Sequence, residues 1–227
     1  MSLSNNKCKE VKEIAFKVAE KRFKEGRGSG SGREYKPFLT VRDISSKGRS
    51  HRLPSITVGR AHHLLSDLEL HVFYLLDWDP DVIDIREQFP ITLSSSQSIA
   101  EQMGIAHPSV KGIDQVVTTD FIVDLQMQGR TIRKAISVKY ADELDNPRTI
   151  EKLELERRYW EEKHIPFCIV TELQIPKPFV KNVQWFQPYL TAHSFKPDEQ
   201  VEYFELFHSS FARHGSIKVT AITAKLD

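Results

Sequence analysis

The sequence predicts an α/β protein in which helices flank a mixed central sheet and a small, mainly helical unit follows. Two observations carry this prediction. Between residues 119 and 171 the chain has the order strand, hairpin, strand, helix, strand, which is typical of an α/β arrangement. Pro176 and Pro178 then mark a boundary, beyond which apolar residues recur at helical spacing. We expect three segments: a basic arm (1–60), a core (61–172) and a helical unit (173–227).

The first 60 residues are strongly basic, with fifteen lysines and arginines against six aspartates and glutamates, although the whole chain carries only +1. Residues 5–25 predict a polar helix, and the glycine- and serine-rich residues 26–32 predict a flexible linker. Such an arm can contact phosphates, or it can be an ordinary solvated surface. The candidate DNA contacts lie at its end and just beyond it, and they are Arg49, His51, Arg52, Arg60 and His63.

A helix is predicted from Ser66 to Leu76, with Ser66 as its N-cap. Glu69 stands three residues after Ser66, which makes a capping box. Its carboxylate is therefore either a cap for a backbone N–H or a ligand for a metal ion. A strand over residues 82–89 follows, and then a long connection that contains one short helix ended by Gly104.

Residues 119–139 predict two paired strands. Phe121, Val123 and Leu125 alternate with Asp120, Ile122 and Asp124, which is the period of two typical of a strand. Gly129 lies in the turn, and a second strand runs from Arg133 to Lys139. Pairing brings Asp120 near Lys139 at one end of the sheet. A carboxylate beside a lysine suits a divalent metal ion and a water to be activated, and the alternative is a pair of solvent-facing charges.

A helix begins after Asn146-Pro147 and continues to about Lys163, followed by a strand at 167–171. Its inward residues are predicted to be Ile150, Leu153 and Tyr159–Trp160. Glu156 is placed on the largely outward face, where it is either a solvated glutamate or an accessory site residue. Two further helices, over 179–190 and 198–213, make up the C-terminal unit.

Composition narrows the classes of protein. Hydrophobic residues make up 40% and charged residues 28% of the chain, as in soluble globular proteins. No apolar run approaches the ~18 residues of a membrane span, and the N-terminus has no secretory signal. Cys8 and Cys168 are far apart and are expected to be reduced thiols of a cytoplasmic protein.

Glu69, Asp120 and Lys139 occur in the order that nucleases of the PD-(D/E)xK type use: a helix glutamate, a strand aspartate, and a lysine at the end of the next strand. Further segments agree in order with one family. The chain thereby resembles the TnsA endonucleases of Tn-seven-type heteromeric transposases. The matching segments are EGRG from Glu25, GRSHR from Gly48, HHLLSDLEL from His62, DIREQFP from Asp84, TDF from Thr119 and EKLELERRYW from Glu151.

The resemblance implies a restriction-endonuclease-like fold and an Mg²⁺-dependent DNA endonuclease, for which Mn²⁺ can substitute. It implies that Glu69, Asp120 and the Val138 backbone carbonyl hold metal and that Lys139 positions the attacking water. It also implies cleavage of the 5′ ends of a transposon beside a TnsB-like transposase. A partial winged-helix unit near the C-terminus would engage a TnsC-like AAA+ regulator, and the protein would act on double-stranded DNA in the bacterial cytoplasm.

One departure concerns Ser137, which stands two residues before Lys139, where the family normally has Glu, Asp or Gln. A hydroxyl binds Mg²⁺ less well than a carboxylate, so the second metal position is expected to be weaker or water-mediated. Two other functions stay open: a stand-alone restriction-type nuclease, and a non-catalytic DNA-binding adaptor between transposase and regulator.

Overall fold

The computed structural model describes residues 17–43, 48–110, 112–192 and 205. The helices are α1 (17–24), α2 (Asp67–Asp77), α3 (Leu93–Met103), α4 (Pro147–Glu162) and α5 (Lys177–Ala192). The strands are β1 (His51–Pro54), β2 (Ala61–Leu64), β3 (Val82–Ile91), β4 (Ser109–Val110), β5 (Ile113–Asp114), β6 (Val117–Met127), β7 (Arg130–Val138) and β8 (Phe167–Val170). Most of the predicted helix 5–25, and all of the predicted helix 198–213 except Glu205, lie outside the described residues.

The central sheet has four strands in the order β3-β6-β7-β8. The first three pair antiparallel, and β8 pairs parallel to β7, so the sheet is mixed, as predicted. Phe121 faces Ile136 and Ile122 faces Ala135 across β6 and β7. The hairpin between them turns at Gln128 and Gly129, both with left-handed φ angles of 50° and 76°. Since such angles match the twist of paired strands, this short turn fixes the register.

Each face of the sheet carries its own apolar core. On one face, Phe121, Val123 and Val138 pack with α2 residues such as Phe73. On the other, Ile122 and Ala135 pack with α3 and with the α4 residues Leu155 and Trp160. Burial of this sheet on both faces explains why β6 is not a clean alternation of apolar and polar residues.

Two predictions were wrong: that residues 26–32 form a flexible linker, and that Ile150 faces inward and Glu156 outward on α4. The glycine-rich residues 26–32 are not a flexible linker, because Gly28 donates its N–H to the Lys36 carbonyl at 2.6 Å and Ser29 bridges to Lys36. A Cβ on Gly28 would lie 2.2 Å from Cγ of Pro90, so this turn is packed against the end of β3. On α4, Ile150 is exposed whereas Glu156 is buried, the reverse of the predicted faces.

The chain divides into two compact units, residues 1–183 and 184–227, and the division falls within α5. In the first unit, Val180 and Val183 of α5 belong to the apolar core beside α2. None of the helices in the described ranges is long and apolar enough to cross a membrane.

Candidate active site

Asp120 and Lys139 meet where β6 and β7 lie side by side. The Asp120 carboxylate accepts the Val138 N–H at 2.7 Å and the Lys139 ammonium at 3.3 Å, both through Oδ2. Lys139 also donates to the Val138 carbonyl at 2.7 Å. The predicted pairing therefore occurs, and the predicted metal-binding carbonyl of Val138 contacts the lysine. An ion on that oxygen requires the ammonium to turn aside.

Glu69 lies at the start of α2, where its two carboxylate oxygens accept three hydrogen bonds, from Leu65, Ser66 and Gln88. Ser66 accepts the Glu69 N–H at 3.1 Å, as an N-cap should, and its hydroxyl lies 3.0 Å from Oε1. The Leu65 N–H donates to Oε2 at 2.9 Å. The side chain thus does contact the capping segment, through the backbone one residue before the N-cap. Glu69 is also buried, with only 7% of its surface exposed, which a cap alone does not require.

Gln88 is a site residue that the sequence analysis missed. Its amide nitrogen donates to Oε2 of Glu69 at 3.2 Å, and its amide oxygen accepts the Thr118 hydroxyl at 3.0 Å. Gln88 is buried and has a left-handed φ of 50° within β3, an angle that non-glycine residues rarely adopt. Strain of this kind persists where surrounding contacts hold a residue in place, here beside Glu69.

Glu156 reaches the same end of the sheet from α4. Its Oε2 accepts the Ser137 hydroxyl at 2.6 Å and the Thr119 hydroxyl at 3.0 Å. Thr119 in turn accepts the indole N–H of Trp160 at 2.8 Å. The Ser137 hydroxyl therefore donates to a carboxylate from the neighbouring helix.

Glu69, Asp120 and Glu156 bring three carboxyl groups close enough to Lys139 to shift its pKa. Burial first, and then repulsion from Asp120, raise the pKa of Glu69 to about 7 against the lowering effect of its hydrogen bonds. The same two causes raise the pKa of Glu156 to about 7. Burial lowers the pKa of Lys139, but its attraction to Asp120, Glu156 and Glu69 outweighs burial and raises that pKa overall. Three carboxylates thus share one ammonium.

A divalent cation fits this charge balance. Repulsion from Asp120 disfavours the ionised forms of Glu69 and Glu156, and a bound cation would relieve this repulsion; carboxylate and carbonyl oxygens are also the ligands that Mg²⁺ prefers. The described residues contain no group of three acidic, histidine or cysteine side chains placed to hold a metal ion. A metal ion at this end of the sheet would therefore need donors besides these side chains, such as the Val138 carbonyl and water, as is usual for Mg²⁺.

The predicted DNA contacts separate into two groups. His51 lies 2.7 Å from Asp67, Arg49 lies 3.6 Å from the same carboxylate, and Arg60 is held by Glu87 at 2.6 Å with little surface exposed. Burial lowers the pKa of His63, which leaves it neutral near pH 7. Arg52 is exposed and has no carboxylate partner among the described residues. The structure thus assigns Arg60 to the fold and leaves Arg52 facing solvent.

Comparison with known proteins identifies relatives of this chain. Residues 79–172 match the family model described as TnsA-like endonuclease N terminal, and residues 174–227 match the one described as TnsA endonuclease C terminal. A curated protein of Escherichia coli, the transposon Tn7 transposition protein TnsA, is 52% identical over 165 residues. The match covers 73% of this chain and 60% of that relative's length.

Proposed function

We propose that this chain, which belongs to the TnsA-like endonuclease family, is the subunit of a transposase that hydrolyses phosphodiester bonds of DNA with the help of a divalent metal ion. The observation that carries the proposal is the convergence of Glu69, Asp120 and Lys139 at one end of the sheet, where repulsion from Asp120 raises the pKa of Glu69. Two buried carboxylates, Glu69 and Glu156, and the half-buried Asp120 all interact electrostatically with the single lysine, and groups with pKa values shifted in this way concentrate at functional sites.

The residues have distinct proposed roles. Asp120 and Glu69 hold the metal ion, with the Val138 carbonyl as a third oxygen donor. Mg²⁺, for which Mn²⁺ can substitute, supplies Lewis-acid polarisation of the scissile phosphate and lowers the pKa of bound water. Lys139 orients the attacking water and offsets the negative charge that grows as the phosphate reacts. Gln88 orients Glu69 through the amide hydrogen bond.

Glu156 is proposed as an accessory carboxylate. Because its Oε2 accepts the Ser137 hydroxyl at 2.6 Å, the pair places a negative charge where the serine by itself could not. Ser137 is then a positioning residue for Glu156, and a second metal position would depend on the glutamate rather than on the hydroxyl.

The relative is named as a transposition protein of transposon Tn7. We accordingly propose double-stranded transposon ends as the substrate, cut at their 5′ strands, with a TnsB-like transposase cutting the opposite strands. A TnsC-like AAA+ regulator is the proposed partner of the C-terminal unit. The predicted winged-helix part of that unit lies outside the described residues.

Two experiments separate this proposal from its alternatives. In a transposition assay with the partner transposase, Asp120→Ala should abolish 5′ cleavage and convert cut-and-paste products into cointegrates. An unchanged product spectrum would favour the non-catalytic adaptor. Specific double-strand cleavage by the isolated chain, with no partner present, would instead favour the stand-alone restriction-type nuclease.

A further inference from the structure

A basic pocket of about 470 Å³ lies between the glycine-rich turn and the β1–β2 hairpin. Its wall carries five cationic side chains and one carboxylate, and it is open to solvent. The charged members are Arg27, Arg33, Lys36, Arg52, Arg60 and Glu25.

Two of these cations are held by the fold and give the pocket a fixed shape. Arg27 donates to Asp43 at 2.7 Å, and Arg60 donates to Glu87 at 2.6 Å and 2.9 Å. The Arg60 guanidinium also lies over the ring of Tyr35, at 5.1 Å from its centroid. A wall fixed in this way loses little conformational freedom when a ligand binds.

The other three cations, Arg33, Lys36 and Arg52, are exposed, and within the described ranges no carboxylate pairs with them. Among the described residues, Lys36 donates to one backbone carbonyl, that of Glu25, at 3.3 Å. Gly28 and its close contact with Pro90 hold the turn that carries Arg33 and Lys36, and β2 pairs Arg52 with His63. Three unpaired cations around one concavity attract anions, and most strongly a polyanion that engages all three.

The pocket is joined to the candidate active site through β2. His63 lines the pocket, and Leu65, two residues later, donates its N–H to Glu69. An extended phosphodiester chain that occupies the pocket would therefore lie on the same hairpin that leads to the metal-binding carboxylate.

We propose that Arg33, Lys36 and Arg52 bind backbone phosphates of the DNA duplex on which the active site acts. This inference rests on the proposed function for the identity of the anion. The contacts are to phosphates, so they position the duplex and do not read its sequence. Arg33 and Lys36 extend the predicted set of DNA contacts. Arg60, which is paired with Glu87, stabilises the pocket wall.

The test is the salt dependence of duplex binding by the full chain, measured by fluorescence anisotropy with EDTA present so that no cleavage occurs. The logarithm of the association constant falls with the logarithm of the salt concentration, and each phosphate contact adds about 0.9 to the magnitude of this slope. The triple variant R33Q/K36Q/R52Q should therefore reduce the magnitude of the slope by roughly 2–3 and weaken binding by roughly 100-fold at ~0.1 M salt. The control R130Q/K152Q/K181Q removes three exposed cations elsewhere and should change the slope by less than about 1.

Equal losses of slope in the two triple variants, or no duplex binding by the parent chain, would overturn the proposal. So would displacement of the duplex by inorganic phosphate at concentrations far below those of the added salt, because the pocket would then be a small-anion site. A slope that depends on the pocket, together with absence of metal-dependent cleavage, would support the pocket while refuting the proposed function. Normal metal-dependent cleavage with an unchanged slope in R33Q/K36Q/R52Q would support the proposed function and refute the pocket as a DNA-binding site.

Discussion

Replacing Glu156 by Gln should stabilise the metal-free protein at alkaline pH. The parent carboxyl has its pKa raised from 4.5 to about 7, chiefly by burial and next by Asp120. At about 1.36 kcal/mol per pKa unit, ionising this group costs the folded state about 3 kcal/mol at pH 8. A glutamine oxygen can still accept the Ser137 and Thr119 hydroxyls, while its unpartnered amide N–H group costs about 1 kcal/mol. The net gain is about 2 kcal/mol.

The sign of the pH dependence follows from the raised pKa. The folded state binds the proton more tightly than the unfolded state, so the parent protein loses stability as the pH rises from 4.5 to about 7. Glu156→Gln lacks this loss. Its advantage in unfolding free energy should therefore be present at pH 8 and absent or reversed at pH 4.5, as measured by urea unfolding in EDTA.

Glu154→Gln on the same helix is the matched control. Hydrogen bonds from Arg157 lower the pKa of Glu154 to about 2, against a smaller opposing effect of burial. Since the pair lies at the surface, its loss should destabilise by less than about 1 kcal/mol above pH 4.5. If Glu156→Gln is no more stable than the parent at pH 8, or if its advantage does not change with pH, the buried Glu156 carboxyl does not destabilise the folded state on ionisation.

Two further changes address the residues that hold the site. Gln88→Glu should place a like charge beside Glu69, raise the pKa of Glu69 further and shift the acidic limb of the pH–rate profile for cleavage upward by about one unit; an unmoved limb would show that Gln88 does not act on Glu69. Gly28→Ala should lower the free energy of unfolding by about 2 kcal/mol or more, because the new Cβ meets Pro90 at a left-handed φ of 77°. Gly32→Ala, with a φ of 54° and open space around it, should cost only about 1 kcal/mol, and equal costs in denaturant unfolding would contradict the packing argument.

Local patterns predicted the paired strands and the capped helix because their signals lie within a few residues. The alternation around Asp120 and the turn at Gly129 specified the hairpin, and the Ser66 cap specified the start of α2. The confirmed mixed sheet follows from the order of these elements, since a helix between β7 and β8 allows parallel pairing.

What the sequence did not reveal depends on contacts between distant residues. In the sequence, Glu156 cannot be distinguished from the other charged residues of α4, and only the packing of that helix against the sheet brings it to Ser137. Gln88 is one of several polar residues in β3, and nothing local signals its left-handed backbone. The glycine-rich turn has the composition of a linker, and its order comes from Pro90, more than sixty residues away in sequence. The roles of Glu69, Asp120 and Lys139 stay predictions.

Cleavage by an Asp120→Asn variant shows whether the Asp120 carboxylate binds the catalytic metal ion. Asparagine keeps an oxygen that can accept the Val138 N–H, so the strand ends should stay in place while the charge that binds metal is lost. With transposon-end duplex, partner transposase and Mg²⁺ or Mn²⁺, the parent should cut the 5′ strand and the variant should be slower by at least about 100-fold, with urea unfolding close to that of the parent. Cleavage at the parental rate by Asp120→Asn, or cleavage by the parent in EDTA, would show that the Asp120 carboxylate does not bind a catalytic metal ion.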